Sequence, residues 1–302
     1  MEEQLNELRR LAAHAQNRRT ETGIPRVAMV QGAIPEHELA AVYDPMVNLI
    51  LQGSKSMTVG EHTLHYNPAT YFVMSVDLPA AGIVRSSDSG EPYLAVSLTL
   101  DATHLASLLS ELPNAGSSAG HATGFSVAAV TPELLDAWGR MLRLMEKPAD
   151  IAALAPAYER EILYRVLQGP MGWMLRDIAT PDTALARVHQ VIQRLRKDYA
   201  LPLRMEALAK EAAMSVSAFH RHFKAVTALS PLQYQKQVRL LKARTLLIST
   251  GYSVTEAAHE VGYESSTQFG REYARTFGRP PAKDAARIVA NMKRGFQAKP
   301  DQ

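Results

Sequence analysis

The 302-residue chain has no cysteine, only 2 tryptophans, and aromatic residues at just 7%. Without thiols there are no disulfides and no thiolate metal sites. No apolar run approaches the ~18 residues that a membrane span needs. Residues 1–20 lack the uninterrupted apolar core of a signal peptide. They read instead as an amphipathic helix, with Leu5, Leu8 and Leu11-Ala12 on one side and Glu and Arg on the other. Cytoplasmic residence is therefore expected, and the length and apolar content suit two domains with a core each.

Net charge is also low, at +3, but it is unevenly spread. Residues 180–302 carry 20 Lys/Arg against 10 Asp/Glu, whereas residues 1–179 carry 13 against 20. A basic carboxyl-terminal module is joined to an acidic partner. Clustered basic charge is the electrostatic footprint of phosphate binding.

What the basic module does contain is an internal repeat. Ala209 and Met214 recur as Ala258 and Tyr263 at an offset of 49, and Phe219, Arg221, Phe223 and Pro231 recur as Phe269, Arg271, Tyr273 and Pro281 at an offset of 50. Register is kept on both sides of one inserted residue, which chance similarity seldom achieves. In the first copy, residues 204–212 form a short helix with Leu208 and Ala209 facing inward, and Met214-Ser215 make a turn. Ser215 is placed to cap the next helix, about 216–226. Phe219 and Phe223, four apart, share its buried face. Ser217, His220, Arg221 and Lys224 then point outward, and in the second copy so do Ser266, Thr267, Gln268 and Arg271. Short polar, imidazole and guanidinium groups on an exposed helix face suit a DNA major groove, where Arg reads guanine bidentately. Lys224 reads as a phosphate contact or solvated charge. The pattern predicts two helix-turn-helix units, at about 205–226 and 254–276.

Between them, residues 232–249 lack internal Gly and Pro and carry a helical Val238, Leu241, Leu246, Ile248 pattern. Eighteen residues at ~1.5 Å each give a rod of roughly 27 Å. Such a rod can hold two recognition helices near one DNA turn, about 34 Å, apart.

These residues resemble the arabinose-regulator (AraC/XylS) family of bacterial transcription factors. The matching residues are Leu208-Ala209, Met214-Ser215, Phe219, Arg221, Phe223-Lys224 and Ser230-Pro231, then Ala258, Val261-Gly262-Tyr263, Phe269, Arg271, Phe277-Gly278 and Pro281. The resemblance covers residues 184–290 and implies an all-helical DNA-binding domain whose two recognition helices enter adjacent major grooves. It implies base contacts from Ser217, His220 and Arg221, and from Thr267, Gln268 and Arg271, with Val216, Ser266 and Gly270 as weaker candidates. The chain departs from the family pattern at Tyr273-Ala274, where Phe-Lys is usual, at Gly270, and at Ala228, which replaces a frequent glycine in the exit turn.

From Ile24 to Leu100 the pattern changes to short β-rich runs: 27–30, 47–52, 56–59, 63–66, 71–76, 83–85 and 93–100. Regular spacing of such runs predicts a small barrel or sandwich, with Gly60-Glu61 as a hairpin turn. The segment is similar to the same family's cupin-like amino-terminal module, through Pro45, Leu51-Gln52-Gly53-Ser-Lys55, Gly60, Tyr71, Ser75-Val-Asp77-Leu-Pro79 and Pro92-Tyr93. That resemblance implies a sensor barrel that binds a small effector or mediates dimerisation. Gln52, Lys55, Arg85 and Tyr93 are the candidate pocket residues, set against a reading of them as surface or structural polar groups. Helices are expected again at 102–111, 132–145 and 156–168, with a Gly/Ser-rich loop at 114–120 and a linker at 179–183. The apolar side of Leu134, Trp138, Met141-Leu142 and Met145 serves either a subunit contact or a cover for the barrel.

A rival reading makes the barrel a metal-dependent cupin-type enzyme through Glu61, His62 and His65. Strand alternation sends residues three apart to opposite faces, and the usual pair of histidines two apart is missing. The sequence therefore predicts an α+β chain. Residues 1–178 form a cupin-like effector-binding or dimerisation domain, and residues 184–302 form a DNA-binding domain with two helix-turn-helix units. No enzymatic site, metal or cofactor is expected. The expected partners are double-stranded promoter DNA, a small effector, a second copy of the chain and, for an activator, RNA polymerase.

Overall fold

A computed structural model describes the chain except for residues 17, 33–39, 69, 113–122, 250 and 298–302, and describes side chains as far as residue 291. The Gly/Ser-rich loop expected at 114–120 lies outside the described residues. The amino-terminal half is α+β, and every described element beyond residue 131 is helical.

Among the described residues there are ten strands: β1 (Thr20–Glu21), β2 (Val27–Gln31), β3 (Ala41–Tyr43), β4 (Met46–Gln52), β5 (Ser54–Val59), β6 (His62–Tyr66), β7 (Thr70–Met74), β8 (Leu78–Arg85), β9 (Leu94–Thr99) and β10 (Phe125–Ala129). They form a six-stranded sheet, β1-β2-β9-β4-β7-β10, and a four-stranded sheet, β3-β8-β5-β6. All these ladders are antiparallel, and β5 and β6 form a hairpin that pairs Val59 with His62 across Gly60-Glu61. The alternating burial of β5 marks a strand with one wet face, whereas the near-continuous burial of β4 and β7 marks strands covered on both.

The helix α1 (Glu2–Leu11) is shorter than residues 1–20, because its apolar side ends at Leu11-Ala12 and the chain then turns to pair β1 with β2. α2 (Ala102–Ser110) is capped by Asp101, whose carboxylate accepts from the backbone N–H of Thr103 and His104. α3 (Pro132–Arg143) is capped by Thr131 and buries Leu134, Leu135, Trp138, Met141 and Leu142. Its apolar side is used up within the subunit, against α1 and the following helix, α4 (Ile151–Gln168). α4 starts five residues before Pro156. Proline has no N–H to give the helix, but buried Ala155 anchors the added turn. α5 (Gly172–Ala179) completes the set.

The carboxyl-terminal helices are α6 (Ala184–Lys197), α7 (Met205–Glu211), α8 (Val216–Thr227), α9 (Pro231–Ser249), α10 (Val254–Glu260), α11 (Ser266–Phe277) and α12 (Pro281–Gln297). One continuous hydrophobic cluster runs from Leu5 through the two sheets to Phe219, Phe223, Tyr234 and Val238. A second cluster, around Ala257, Ala258, Val261, Tyr263, Phe269 and Tyr273, belongs to the last third alone. The first helix-turn-helix unit is thus fused to the amino-terminal core, and the second packs as its own body.

Candidate nucleic-acid interface

The two copies fold alike for the same local reasons. Ser215 Oγ accepts from Ala218 N–H at 3.3 Å, and Ser265 Oγ accepts from Gln268 N–H at 3.3 Å, so each second helix is capped by serine. The first helix of the second unit adds a reciprocal capping box between Ser253 and Glu256. Phe219 and Phe223 meet edge-to-face at 5.5 Å, and Phe269 and Tyr273 repeat that geometry at 5.5 Å. All four are fully buried, which makes them core.

The turns differ in residue type but not in shape. Ala213 (φ 50°) and Ala228 (φ 59°) hold the left-handed positions of the first unit, where the second unit has Gly262 (φ 84°) and Gly278 (φ 72°). Only Gly262 is sterically obligatory, since a Cβ there would lie 2.1 Å from the Ala200 carbonyl oxygen. That close approach seats the second turn against the 198–201 loop of the first half.

Arg239, on α9, locks the same junction. Its guanidinium donates to the carbonyls of Tyr199 (2.7 Å), Ala200 (3.0 Å), Leu201 (3.1 Å) and Gly262 (3.0 Å). A planar fork can satisfy several fixed carbonyls at once where an ammonium cannot. Its role was not visible in the sequence, where it reads as one more exposed helical arginine.

Tyr273 donates its hydroxyl to Asp284 Oδ2 at 3.0 Å. Asp284 is fully buried and also receives Arg244 Nε at 2.9 Å and Arg287 at 3.1 Å. Burial opposes ionisation of Asp284, but Arg244, Arg287 and Tyr273 outweigh it and hold the carboxyl below its ordinary value.

Ser217, Arg221 and Lys224 on α8 are exposed and His220 is half-buried; on α11, Thr267, Gln268 and Arg271 are exposed and Ser266 is half-buried. Among the described residues Arg221 and Arg271 make no ion pair, so both guanidiniums are presented outward. Gln268 is partly engaged, donating to Glu272 Oε1 at 3.2 Å. Burial raises the cost of ionising Glu272, yet Lys236 (3.0 Å), Tyr263 and Gln268 together keep its carboxyl below the usual range.

The amino-terminal half reaches α8 directly. Gly124 N–H donates to Val226 O at 2.9 Å. A Cβ on Gly60, at the β5–β6 turn, would come within 2.7 Å of the Ala228 carbonyl. His62, Thr123, His220, Arg221, Lys224 and Ser230 line the open recess between hairpin and helix. Further along the junction, Asp77 accepts from both Arg196 and Gln193 of α6, and its backbone carbonyl accepts from Tyr234 O–H at 2.9 Å.

The candidate pocket residues separate. Gln52 donates to Pro92 O at 2.6 Å, tying the end of β4 to the segment that leads into β9. Arg85 is exposed opposite Ser54 in the ladder, one place beyond the Lys55–Val84 pair, so alternation puts it on the other face from Lys55. Lys55, Tyr93 and Tyr66 are buried, and half-buried Tyr43 lies beside them, its ring centroid 5.0 Å from Lys55 Nζ. His62 and His65 are both exposed; His62 lies 6.5 Å from the Phe125 ring, and His65 Nδ1 shares a 2.7 Å hydrogen bond with Ser56 Oγ. No cluster of three metal-ligating side chains occurs among the described residues.

Comparison with known proteins agrees with this architecture. The model of the AraC-type transcriptional regulator N-terminus matches residues 23–174, and that of a helix-turn-helix domain matches residues 208–287. The activator RhaS of Salmonella schwarzengrund (strain CVM19633) is 30% identical over 155 residues, covering 50% of this chain and 54% of the relative. The chain thus spans about half the length of the curated relatives it matches. The crystal structure of unsaturated fatty acid bound ToxT from Vibrio cholerae strain SCE256 superposes with a TM-score of 0.55 at 11% identity, over 86% of this chain and 93% of ToxT. ToxT from Vibrio cholerae O395 gives 0.53 at 10% identity, over 86% and 97%. Both share the fold. With its amino-terminal half matched by that family model and its carboxyl-terminal half by the duplicated reader, the chain belongs to the AraC-type transcriptional regulators.

Proposed function

We propose that the protein binds promoter DNA in the cytoplasm through α8 and α11 and acts without catalysis. Arg221 and Arg271 read base edges, helped by Ser217, His220, Ser266, Thr267 and Gln268, while Lys224 neutralises phosphate. The observation that carries this reading is the equivalence of Arg221 and Arg271. Both are exposed, both occupy the same register of a duplicated helix, and neither is held by a carboxylate among the described residues. Base contacts supply specificity, and basic contacts to phosphate supply affinity and salt sensitivity.

The amino-terminal barrel is the effector-binding half, as the fatty acid in the ToxT structure suggests by analogy of fold. Because the barrel and the first reading unit share one hydrophobic cluster, a ligand that alters the barrel's packing alters the presentation of α8. Dimerisation and contact with RNA polymerase complete the proposed mode of action.

In-vitro selection from random duplexes with the full chain tests the proposal. Enrichment of a defined motif is expected, and recovery of unenriched sequence at low salt would contradict it.

A further inference from the structure

A glutamine carboxamide can meet a base edge in two ways, because its oxygen accepts and its nitrogen donates two hydrogens. Oxygen and nitrogen side by side suit adenine, which offers the N6 amino donor beside the N7 acceptor; guanine offers two acceptors, O6 and N7. Which way an exposed glutamine faces therefore decides what it reads. On α11 that choice is constrained.

Gln268 Nε2 donates to Glu272 Oε1 at 3.2 Å, one helical turn on. Glu272 is itself held. Lys236 Nζ, from α9, donates to the same oxygen at 3.0 Å, and Tyr263 O–H donates to Oε2 at 2.8 Å. Tyr263 is 6% exposed, packs edge-to-face on Phe269 at 5.3 Å, and has the Arg239 guanidinium 5.8 Å from its ring centroid. The carboxylate is thus anchored from α9 and from the turn before α11, and exposed Gln268 leans on it.

An ionised carboxylate only accepts. Burial opposes ionisation of Glu272, but Lys236, Tyr263 and Gln268 keep its carboxyl below the usual range. At neutral pH the amide must then turn its nitrogen toward Glu272. That leaves Gln268 its oxygen and one N–H for DNA, which match the N6 and N7 of adenine. Guanine needs two donors, and one is already taken. Turning the amide over would set its oxygen against the carboxylate, so the wrong base meets a repulsive element.

The first unit shows that the turn itself does not need this network. At the matching positions it has Ala218 for Gln268, His222 for Glu272 and Met214 for Tyr263. Its two helices, serine cap and aromatic pair form all the same.

We propose that Glu272 is a specificity-determining positioning residue: by fixing the Gln268 amide, it makes the second unit read adenine and reject guanine at one position of the site. Glu272 touches no base and acts through Gln268. This inference rests on the reading of Gln268 as a base contact.

The test uses the full chain and the duplex motif recovered by selection, with each base placed in turn at the position where Gln268→Ala loses preference. Competition binding at fixed salt gives the ratio of affinities for adenine and guanine there. For the wild type that ratio is expected to be at least ~5-fold, the low end for a bidentate pair. Glu272→Gln keeps the side chain's size but can donate, which frees the Gln268 amide to turn over. The ratio is then expected to fall to ~2-fold or less, mainly through tighter binding of guanine. A merely structural role would weaken both duplexes alike and lower the melting temperature. Lys236→Met, which loosens the carboxylate from a separate helix, is expected to move the ratio the same way by a smaller amount. It decides the matter if Glu272→Gln melts early. In a Gln268→Ala background, Glu272→Gln is expected to leave the ratio unchanged. The proposal is overturned by a wild type without adenine preference, by a ratio that neither variant moves, or by a shift that persists without Gln268. If Gln268→Ala alters no base preference at all, the reading of Gln268 fails and the proposal with it. If it does and Glu272→Gln does not, only the positioning role is refuted.

Discussion

Arg196, on the first helix of the carboxyl-terminal half, closes onto the carboxylate of Asp77 beside the four-stranded sheet. Asp77 is buried to 1% exposure, whereas the Arg196 side chain is 31% exposed and also meets Asp44 at 2.5 Å. The two partners are therefore unequal. Removing the guanidinium leaves a buried carboxylate, while neutralising the carboxylate leaves an arginine with water and Asp44.

This inequality predicts unequal losses. Arg196→Ala is expected to cost on the order of 3 kcal/mol, and Asp77→Asn about 1 kcal/mol, in urea unfolding followed by tryptophan fluorescence. Equal losses would place the two charges in equivalent surroundings, contrary to the structure. Burial pushes the Asp77 carboxyl up, against the pull of Arg196, and the net direction is upward. The folded state thus holds this proton more firmly than the unfolded chain. The group's contribution declines as pH rises from about 4 through its folded value.

Asp284 runs the other way. Its folded value is depressed, so the stability it gives is fully present above about pH 4 and is lost as pH falls through the lower folded value. Asp284→Asn leaves Arg244 buried beside Phe277 and is expected to cost about 3–5 kcal/mol. Chemical denaturation between neutral and acidic pH checks both carboxylates. The wild type should lose stability below about pH 4, and Asp284→Asn should remove part of that slope. An unchanged slope would mean that Asp284 is not the titrating group.

The left-handed turns give a third expectation. Ala213→Gly relieves the strain of an exposed alanine at φ 50° and is expected to stabilise by about 0.5–1 kcal/mol, the αL penalty less the added chain entropy. Gly262→Ala drives a methyl into the Ala200 carbonyl and is expected to destabilise by about 2–4 kcal/mol. Thermal melts of both variants decide the matter. Equal tolerance of alanine at the two turns would deny the close approach that seats the second unit.

Much of this was legible in the sequence, where a short-range rule decides. Phe219 and Phe223 four apart, Ser215 before a helix, and Gly60 between two alternating runs each specify local structure without reference to distant residues. β10 was not legible. Phe125–Ala129 is short and weakly patterned, and it is a strand because β7 offers it an edge. α5 begins at Gly172, which no propensity favours. Of the pocket candidates, Lys55 and Tyr93 are buried, whereas Arg85 is carried to the other face by its ladder position, which only the register of β5 and β8 reveals. Tyr43 comes beside Lys55 only because separate strands bring its ring within 5.0 Å of Nζ. Arg239 likewise depends on four carbonyls from two distant loops.

Reading of two separate stretches of one duplex by α8 and α11 underlies all of the proposed function. Binding of wild type, Arg221→Ala and Arg271→Ala to single-base variants of the selected site, at fixed salt, puts it to the test. Each substitution is expected to cost about 1–3 kcal/mol on the cognate site and to erase base preference at its own position, the two positions lying about 10–10.5 base pairs apart. Equal losses on cognate and scrambled duplexes, or two substitutions that relax the same position, would contradict it.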